Sequence, residues 1–355
     1  MKIKVGIPRA LLYYYYYPLW CSFLQFLGAE VIPSAPTNKS ILSRGLQRAG
    51  DDICLPVKLA FGHILALAPK VDCLFLPRLI SVARREYICP KFLGFPDMVR
   101  QSLDGLPPVI DADIDLYRSG RSLWPAFLRA GRMLNSNRWR IYHAYRRALG
   151  VQKRYAALLT AGWLPEEAIA AVLGGRGNRP EQADKNKPVV AVIGHPYNIY
   201  DSYINMNLLP RLRAAGLKPV TADALAEETL WREVSVLPKQ LFWTLSRRMV
   251  GAAFHYLRDP RVTGIIHITS FACGPDSMTG ELIERRIRRE GQMPFLNLTL
   301  DEHTGEAGLL TRLEAFLDMV QRRGRSFLPS IGGEEFVGEK ETVLSALIPS
   351  AVGGR

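Results

Sequence analysis

VTGIIHITSFACGP, residues 262–275, decides the fold. Its opening nine residues are an apolar, β-branched run, which reads as a strand buried on both faces. The glycine and proline that follow end the strand and start a helix, so Cys273 arrives at the strand's C-terminal end. Working backwards, PVVAVIGHPY (188–197) is a second apolar strand running into a loop. Between the two lie a helix over 207–215 closed by Gly216, a strand over 217–221 and a mainly helical stretch over 224–257. Beyond Cys273 the pattern gives a helix over 278–290, a strand over 294–299 and a helix over 311–322. Strands alternating with helices imply a parallel sheet covered on both faces.

The N-terminal third follows the same rhythm. Strands are predicted over 4–7, 30–33, 71–76 and 108–111, with a helix ending near Gly28 and others over 38–49, 57–68 and around Met98. Residues 116–173 read as helices only, and LGGRGNRPEQADKNKP (173–188) is a polar, glycine-rich linker. The expected architecture is therefore α/β, with two Rossmann-like or flavodoxin-like parallel-sheet halves and a helical insert between them. The boundaries are an N-terminal α/β domain over 1–115, a basic helical insert and linker over 116–187, a second α/β domain over 188–330 and a loosely ordered tail over 331–355. Sites in open parallel sheets form beyond the strand C-termini. A cleft between the halves is the expected place for one. The tyrosine run Tyr13 to Tyr17 is expected to split between a buried helical face and a crevice wall.

With 48 % hydrophobic and 22 % charged residues over 355 positions, the composition is that of a globular protein. The start, MKIKVGIPRALL, lacks the pattern of a secretory leader because Gly6, Pro8 and Arg9 break its apolar run. No stretch approaches the roughly 20 apolar residues of a membrane span, and a cytoplasmic location is expected. The net charge of +13 concentrates between Asp115 and Glu166, where no acidic residue interrupts Arg118, Arg121, Arg129, Arg132, Arg138, Arg140, Arg146, Arg147, Lys153 and Arg154. Trp139, Tyr142, Tyr145 and Tyr155 interleave at helical spacing and read as packing. The segment is a solvated helical face or a docking surface in preference to a nucleic-acid site.

Five cysteines in a reducing compartment argue against a disulfide framework. Cys54 (ICLPVK), Cys89 (ICPKF) and Cys273 (ACGPDS) are each followed by proline within two residues, whereas Cys21 and Cys73 sit in apolar runs and read as core. A cysteine before such a proline stands at a turn or helix start, where the thiol is expected to be partly exposed and the helix dipole favours the thiolate. An iron–sulfur site from these three loops fits, although no short C-x-x-C spacing announces it. A zinc site of three cysteines with His63, His195 or His303 as fourth ligand stays open.

His195 in GHPYNIYD, with Tyr197, Tyr200 and Asp201, could line the cleft and pass protons, or be a turn residue. Glu302 and His303 in DEHTGEAG suit acid–base work, or form a helix N-cap with Thr304 and Glu306. Lys58 and Arg78 flank the expected cleft and suit a phosphate or a cluster's charge, while His143, His255 and His267 read as structural. GGRGN follows no strand and is no dinucleotide fingerprint, and no Walker lysine motif indicates nucleotide hydrolysis by this chain.

Several blocks in order carry a family resemblance: GIPRALLYYYYYPLW, DDICLPVK, FLPRL with EYICPKFLGFPDM, GHPYNIYD, SFACGPDS and DEHTGEAGLLTRLEAF. From Lys4 to about Phe316 the chain resembles the domain of unknown function found with, or fused to, CoA-substrate-specific enzyme activases. That family is similar to 2-hydroxyacyl-CoA dehydratase components, benzoyl-CoA reductase subunits and double-cubane cluster proteins. The resemblance implies a 4Fe-4S cluster, of single or double-cubane type, on Cys54, Cys89 and Cys273, with the fourth iron position left for another ligand. It also implies an ATP-hydrolysing activase of actin/sugar-kinase-like fold as electron donor, a homo- or heterodimer, and a small substrate such as a CoA thioester in anaerobic metabolism. The alternatives are a non-catalytic electron-transfer or assembly subunit, and a zinc-stabilised binding protein.

Overall fold

The computed structural model describes residues 2–117, 123–175, 187–291 and 293–327. Arg118, Arg121, most of the polar linker and the expected tail over 331–355 lie outside the described residues. The first half opens with β1 (Lys4–Ile7), α1 (Tyr13–Phe26) and β2 (Glu30–Pro33), followed by α2 (Lys39–Leu46), α3 (Leu55–Leu67) and β3 (Cys73–Phe75). Asn38 caps α2 by accepting the Ile41 amide on its side-chain oxygen. The close crossing of α2 and α3 requires glycine: a Cβ at Gly45 would strike the Lys58 carbonyl, and one at Gly62 the Ile41 carbonyl.

Next come β4 (Arg78–Ser81), α4 (Pro90–Leu93), α5 (Phe95–Ser102), β5 (Val109–Ile110) and β6 (Asp113–Asp115). β2, β1, β3 and β5 form one parallel sheet in that order. The sequence predicts no strand at β4 or β6, which pair with each other in a separate two-stranded parallel sheet. Both are short, and their charged ends (Arg78, Asp113, Asp115) mask the alternation that would mark a strand.

The insert is helical, as expected: α6 (Trp124–Arg132), α7 (Arg138–Thr160) and α8 (Pro165–Val172). α7 buries Ile141, Ala144, Tyr145, Ala148, Val151 and Tyr155 and exposes Arg138, Arg140, Arg146, Arg147, Lys153 and Arg154. Its basic residues therefore form a solvated face, with the 3.6-residue period of an amphipathic helix. Trp139 departs from the packing expected of it. It is 74 % exposed because it falls on the arginine side of the helix.

The second half comprises β7 (Val189–Gly194), α9 (Pro196–Ile199), α10 (Leu208–Ala214), β8 (Lys218–Val220), α11 (Glu227–Val234), α12 (Thr244–Arg258), β9 (Val262–Ser270), α13 (Gly274–Glu290), β10 (Phe295–Leu300) and α14 (Glu306–Phe327). Its parallel sheet runs β10-β9-β7-β8. By rank along the chain, the strand order is second, first, third, fourth in both halves. This is the doubly wound arrangement, whose switch point falls between the first and third strands. The halves share an apolar core, since Val5 and Leu74 belong to one buried cluster with Val192 and Ile268. No described helix is long and apolar enough to cross a membrane.

Candidate functional site

The second-half switch point lies between β7 and β9, whose C-termini lead to His195 and Cys273. His195 is the N-cap of α9, with Pro196 as the first helical residue, and Cys273 is the N-cap of α13, with Pro275 second. Cys54 caps α3 ahead of Pro56, and Cys89 caps α4 ahead of Pro90. Cys54 and His195 accept no capping hydrogen bond, while the first-turn amides of Lys91 and Asp276 favour the thiolates of Cys89 and Cys273. Ala272 takes a left-handed φ of 61° immediately before Cys273. A non-glycine residue there stores about 1–3 kcal/mol, the kind of strain that persists where a neighbour must be aimed.

The three cysteines lie near enough to influence one another electrostatically, but among the described residues their sulfurs are not a group whose ligand atoms all lie within 4.8 Å. Cys273 feels the charges of both Cys54 and Cys89, and Cys89 feels that of Cys54. The buried Tyr197 hydroxyl is pushed well above its ordinary value, chiefly by burial and then by Cys273, Cys54, Asp276 and Cys89. All three thiols are free of disulfides. Cys54 and Cys89 are partly exposed, as the sequence leads one to expect, whereas Cys273 departs from that expectation at 8 % exposed. Burial raises the thiol of Cys273, with Asp276 adding to it, and burial also raises that of Cys89. At Cys273 and Cys89 desolvation outweighs the helix dipole.

Beside Cys273 lies a buried group that the sequence reading passed over. Ligand atoms of His195, Cys273 and Asp276 all lie within 4.8 Å of one another. Asp276 stands 3.9 Å from His195 Nε2 and 3.4 Å from His267 Nε2, and His267 Nδ1 lies 3.2 Å from Asn297 Oδ1. Burial works against the Asp276 charge, yet His195 and His267 outweigh it and hold the carboxyl below the usual range. Burial lowers His195, which stays a neutral imidazole near pH 7, and its Nδ1 has no hydrogen-bond partner among the described residues. The signal was present in the sequence. His195-Pro196 has the same cap-and-proline grammar as the three cysteines, and Asp276 falls in the first turn of the Cys273 helix.

The other expected site residues have different partners. Both ring nitrogens of His63 are taken, by Ser34 at 2.8 Å and Thr37 at 3.0 Å, and burial lowers its pKa to about 3. Thr37 also donates to Asp201, so this network ties the halves together. His303 is exposed on the loop after β10. Of the three histidines considered as a fourth ligand, His195 is the one adjoining a cysteine of the set. Arg78 is spent on Asp97 at 2.7 Å and Asp113 at 3.2 Å. Lys58 is 4 % exposed and donates to Glu302 at 2.6 Å, pinning the Cys54 helix to the loop after β10.

That last pair gives a pH signature. Glu302 loses some hydration, but Lys58 more than compensates and its carboxyl sits below the ordinary glutamate value of about 4.3. A depressed folded pKa means the stabilisation is complete above the unfolded value and vanishes as pH falls through the folded one. Urea midpoints of the wild-type chain are expected to drop as the pH falls below the ordinary glutamate value of about 4.3 and on through the lowered folded value. Those of Glu302→Gln should start lower at pH 7 and fall less steeply across that window. Parallel curves for the two proteins would refute the assignment.

Residues 4–225 match the model of the CoA enzyme activase uncharacterised domain, well over half of the chain. The protein belongs to that family, a domain related to the activases of CoA enzymes. No curated protein matches the chain.

Proposed function

We propose that this chain is an iron–sulfur protein of the 2-hydroxyacyl-CoA dehydratase and reductase type. It receives low-potential electrons from an ATP-hydrolysing activase and uses them on a small substrate, a CoA thioester being the leading class. What supports this most is that Cys54, Cys89 and Cys273 stand at the N-termini of three proline-started helices from both halves, with Cys273 feeling the charges of the other two. The donor set fits the group: three disulfide-free sulfurs, with the helix ends supplying positive potential for an anionic cluster. When bound, a three-cysteine 4Fe-4S cluster stores a low-potential electron and leaves one iron able to take a substrate oxygen. Cys54, Cys89 and Cys273 would hold it. Tyr197 keeps its proton and can donate a hydrogen bond among these sulfurs. His195, neutral and buried beside the Asp276 carboxylate, can accept or deliver a proton at the same place.

The compact His195, Cys273 and Asp276 group favours a second reading, a mononuclear zinc site that stabilises the fold. Metal analysis after anaerobic purification and reconstitution separates the two. The cluster reading expects about four iron and four acid-labile sulfide per chain, whether the cubanes stay separate or are bridged across a dimer. Near-stoichiometric zinc without iron or sulfide would establish the second reading and end the first.

A further inference from the structure

The outward face of α7 carries its positive charge in register. Trp139, Arg146 and Lys153 follow one another at intervals of seven residues, and so do Arg140, Arg147 and Arg154. Seven residues are nearly two turns, about 10.5 Å of rise, and drift only about 20° around a straight helix. Each set is therefore a row along the helix, on the side away from the buried Ile141, Ala148 and Tyr155. Between the rows come Gly150 and Ala157, again seven apart and both exposed. Small side chains thus floor a trough walled by long basic ones.

These charges are unmatched. All six row residues are exposed, and among the described residues none of the five cations makes an ion pair. Arg146 reaches the Tyr142 hydroxyl at 3.4 Å, and Arg147 lies over the Phe26 ring at 4.5 Å. On α13, by contrast, Arg285, Arg286 and Arg288 each face a glutamate one turn away. An unanswered field of one sign draws in the opposite sign. A second copy would bring the same charge, since the chain carries +13 overall. A helix that lies in a membrane surface needs an apolar outward face, and Trp139 is the one large exposed hydrophobic of α7. Single-stranded nucleic acid stacks on successive aromatic rings, which the rows do not offer. Carboxylates repeating at the same interval do fit. The guanidinium fork pairs them two-pronged, and Trp and Arg are the side chains that most often anchor protein interfaces.

We propose that this face of α7 docks an acidic α-helix of a partner protein. Aspartate or glutamate at seven-residue intervals on that helix meets the two cationic rows, and Trp139 anchors one end. The helices lie along each other, and Gly150 and Ala157 let the partner's backbone come close. The contact does not depend on what the three cysteines hold, and it gives the basic insert a role of its own.

The test uses the full chain and two fluorescein-labelled helical peptides of identical composition, read by fluorescence anisotropy at low salt. One peptide carries glutamates in two rows at seven-residue spacing; the other has them spread around the helix. The in-register peptide is expected to bind at least about tenfold tighter than the dispersed one, and to weaken at least about tenfold as salt rises to about 0.5 M, because exposed charges are screened. Arg146→Gln with Lys153→Gln should weaken it at least about tenfold. Lys39→Gln with Lys70→Gln, an equal loss of charge at exposed positions on other elements, should leave it within about twofold. Trp139→Ala should weaken it about fivefold with the salt dependence unchanged. Every one of these positions is exposed, so the variants keep the fold. Equal affinity for the two peptides, equal effects of the two double variants, or tighter binding of duplex DNA or phosphatidylserine vesicles than of the in-register peptide would each overturn the proposal.

Discussion

Serine in place of Cys54, Cys89 or Cys273 is expected to cut the iron retained after anaerobic reconstitution at least about tenfold, whereas Cys21→Ser and Cys73→Ser retain the wild-type content. The chemistry separates the two groups because their surroundings do. Cys21 is 1 % exposed on α1, with burial pushing its thiol up and Tyr17 as hydrogen-bond partner. Cys73 is 8 % exposed in β3, and burial followed by Asp72 raises it. Neither has a helix N-terminus behind it, and neither is among the charges felt by Tyr197. The other three sit at helix N-termini, and first-turn amides favour the thiolates of two of them, Cys89 and Cys273. A hydroxyl at such a position is a poor substitute for thiolate toward a soft metal. Cofactor stoichiometry and the visible charge-transfer absorption measure the result directly. Equal iron in all five variants would remove the three-cysteine site, whatever the family.

Much of this was legible because helix and strand signals are local. The apolar runs at β7 and β9 have no competing reading, and in a parallel sheet such runs must be covered on both faces. The cysteines were sorted correctly into helix-start and core sets by proline alone, since a fixed φ and a missing N–H act on the residues next to them. What stayed hidden is non-local. Arg78–Ser81 and Asp113–Asp115 become strands only by finding each other across more than thirty residues, and neither carries enough apolar alternation to show it. Asp276 reads as an ordinary first-turn acid until the fold sets His195 and His267 against it. Lys58 and Arg78 looked available for an anion because sequence cannot say that Glu302, Asp97 and Asp113 reach them first.

The largest stability effect is expected at Glu86, where replacement by glutamine should cost about 3–5 kcal/mol. Glu86 is fully buried three residues before Cys89, and its carboxylate meets Arg247 of α12 at 2.6 Å. Burial lowers the Arg247 pKa and Glu86 only partly restores it, so removing the carboxylate leaves a guanidinium 1 % exposed with one outer partner, Glu227 at 3.0 Å. The strand-like contacts alongside carry the damage further. The Tyr87 amide donates to the Phe242 carbonyl at 2.7 Å, and the Thr244 amide to the Tyr87 carbonyl at 2.9 Å, stitching the Cys89 loop to the start of α12. Losing the ion pair should therefore loosen Cys89 as well as lower the urea midpoint. The pair itself is imperfect, because neither carboxylate oxygen of Glu86 makes an aligned hydrogen bond among the described residues. Two desolvated charges with poor alignment contribute little net stability, and an apolar pair of similar volume often does as well or better. The double variant Glu86→Leu with Arg247→Met is thus expected to be at least as stable as the wild type, with a coupling energy of several kcal/mol in the cycle. A Glu86→Gln protein within about 0.5 kcal/mol of the wild type would show that the interior tolerates the free guanidinium, and the joint between the Cys89 loop and α12 would have to rest on its backbone bonds alone.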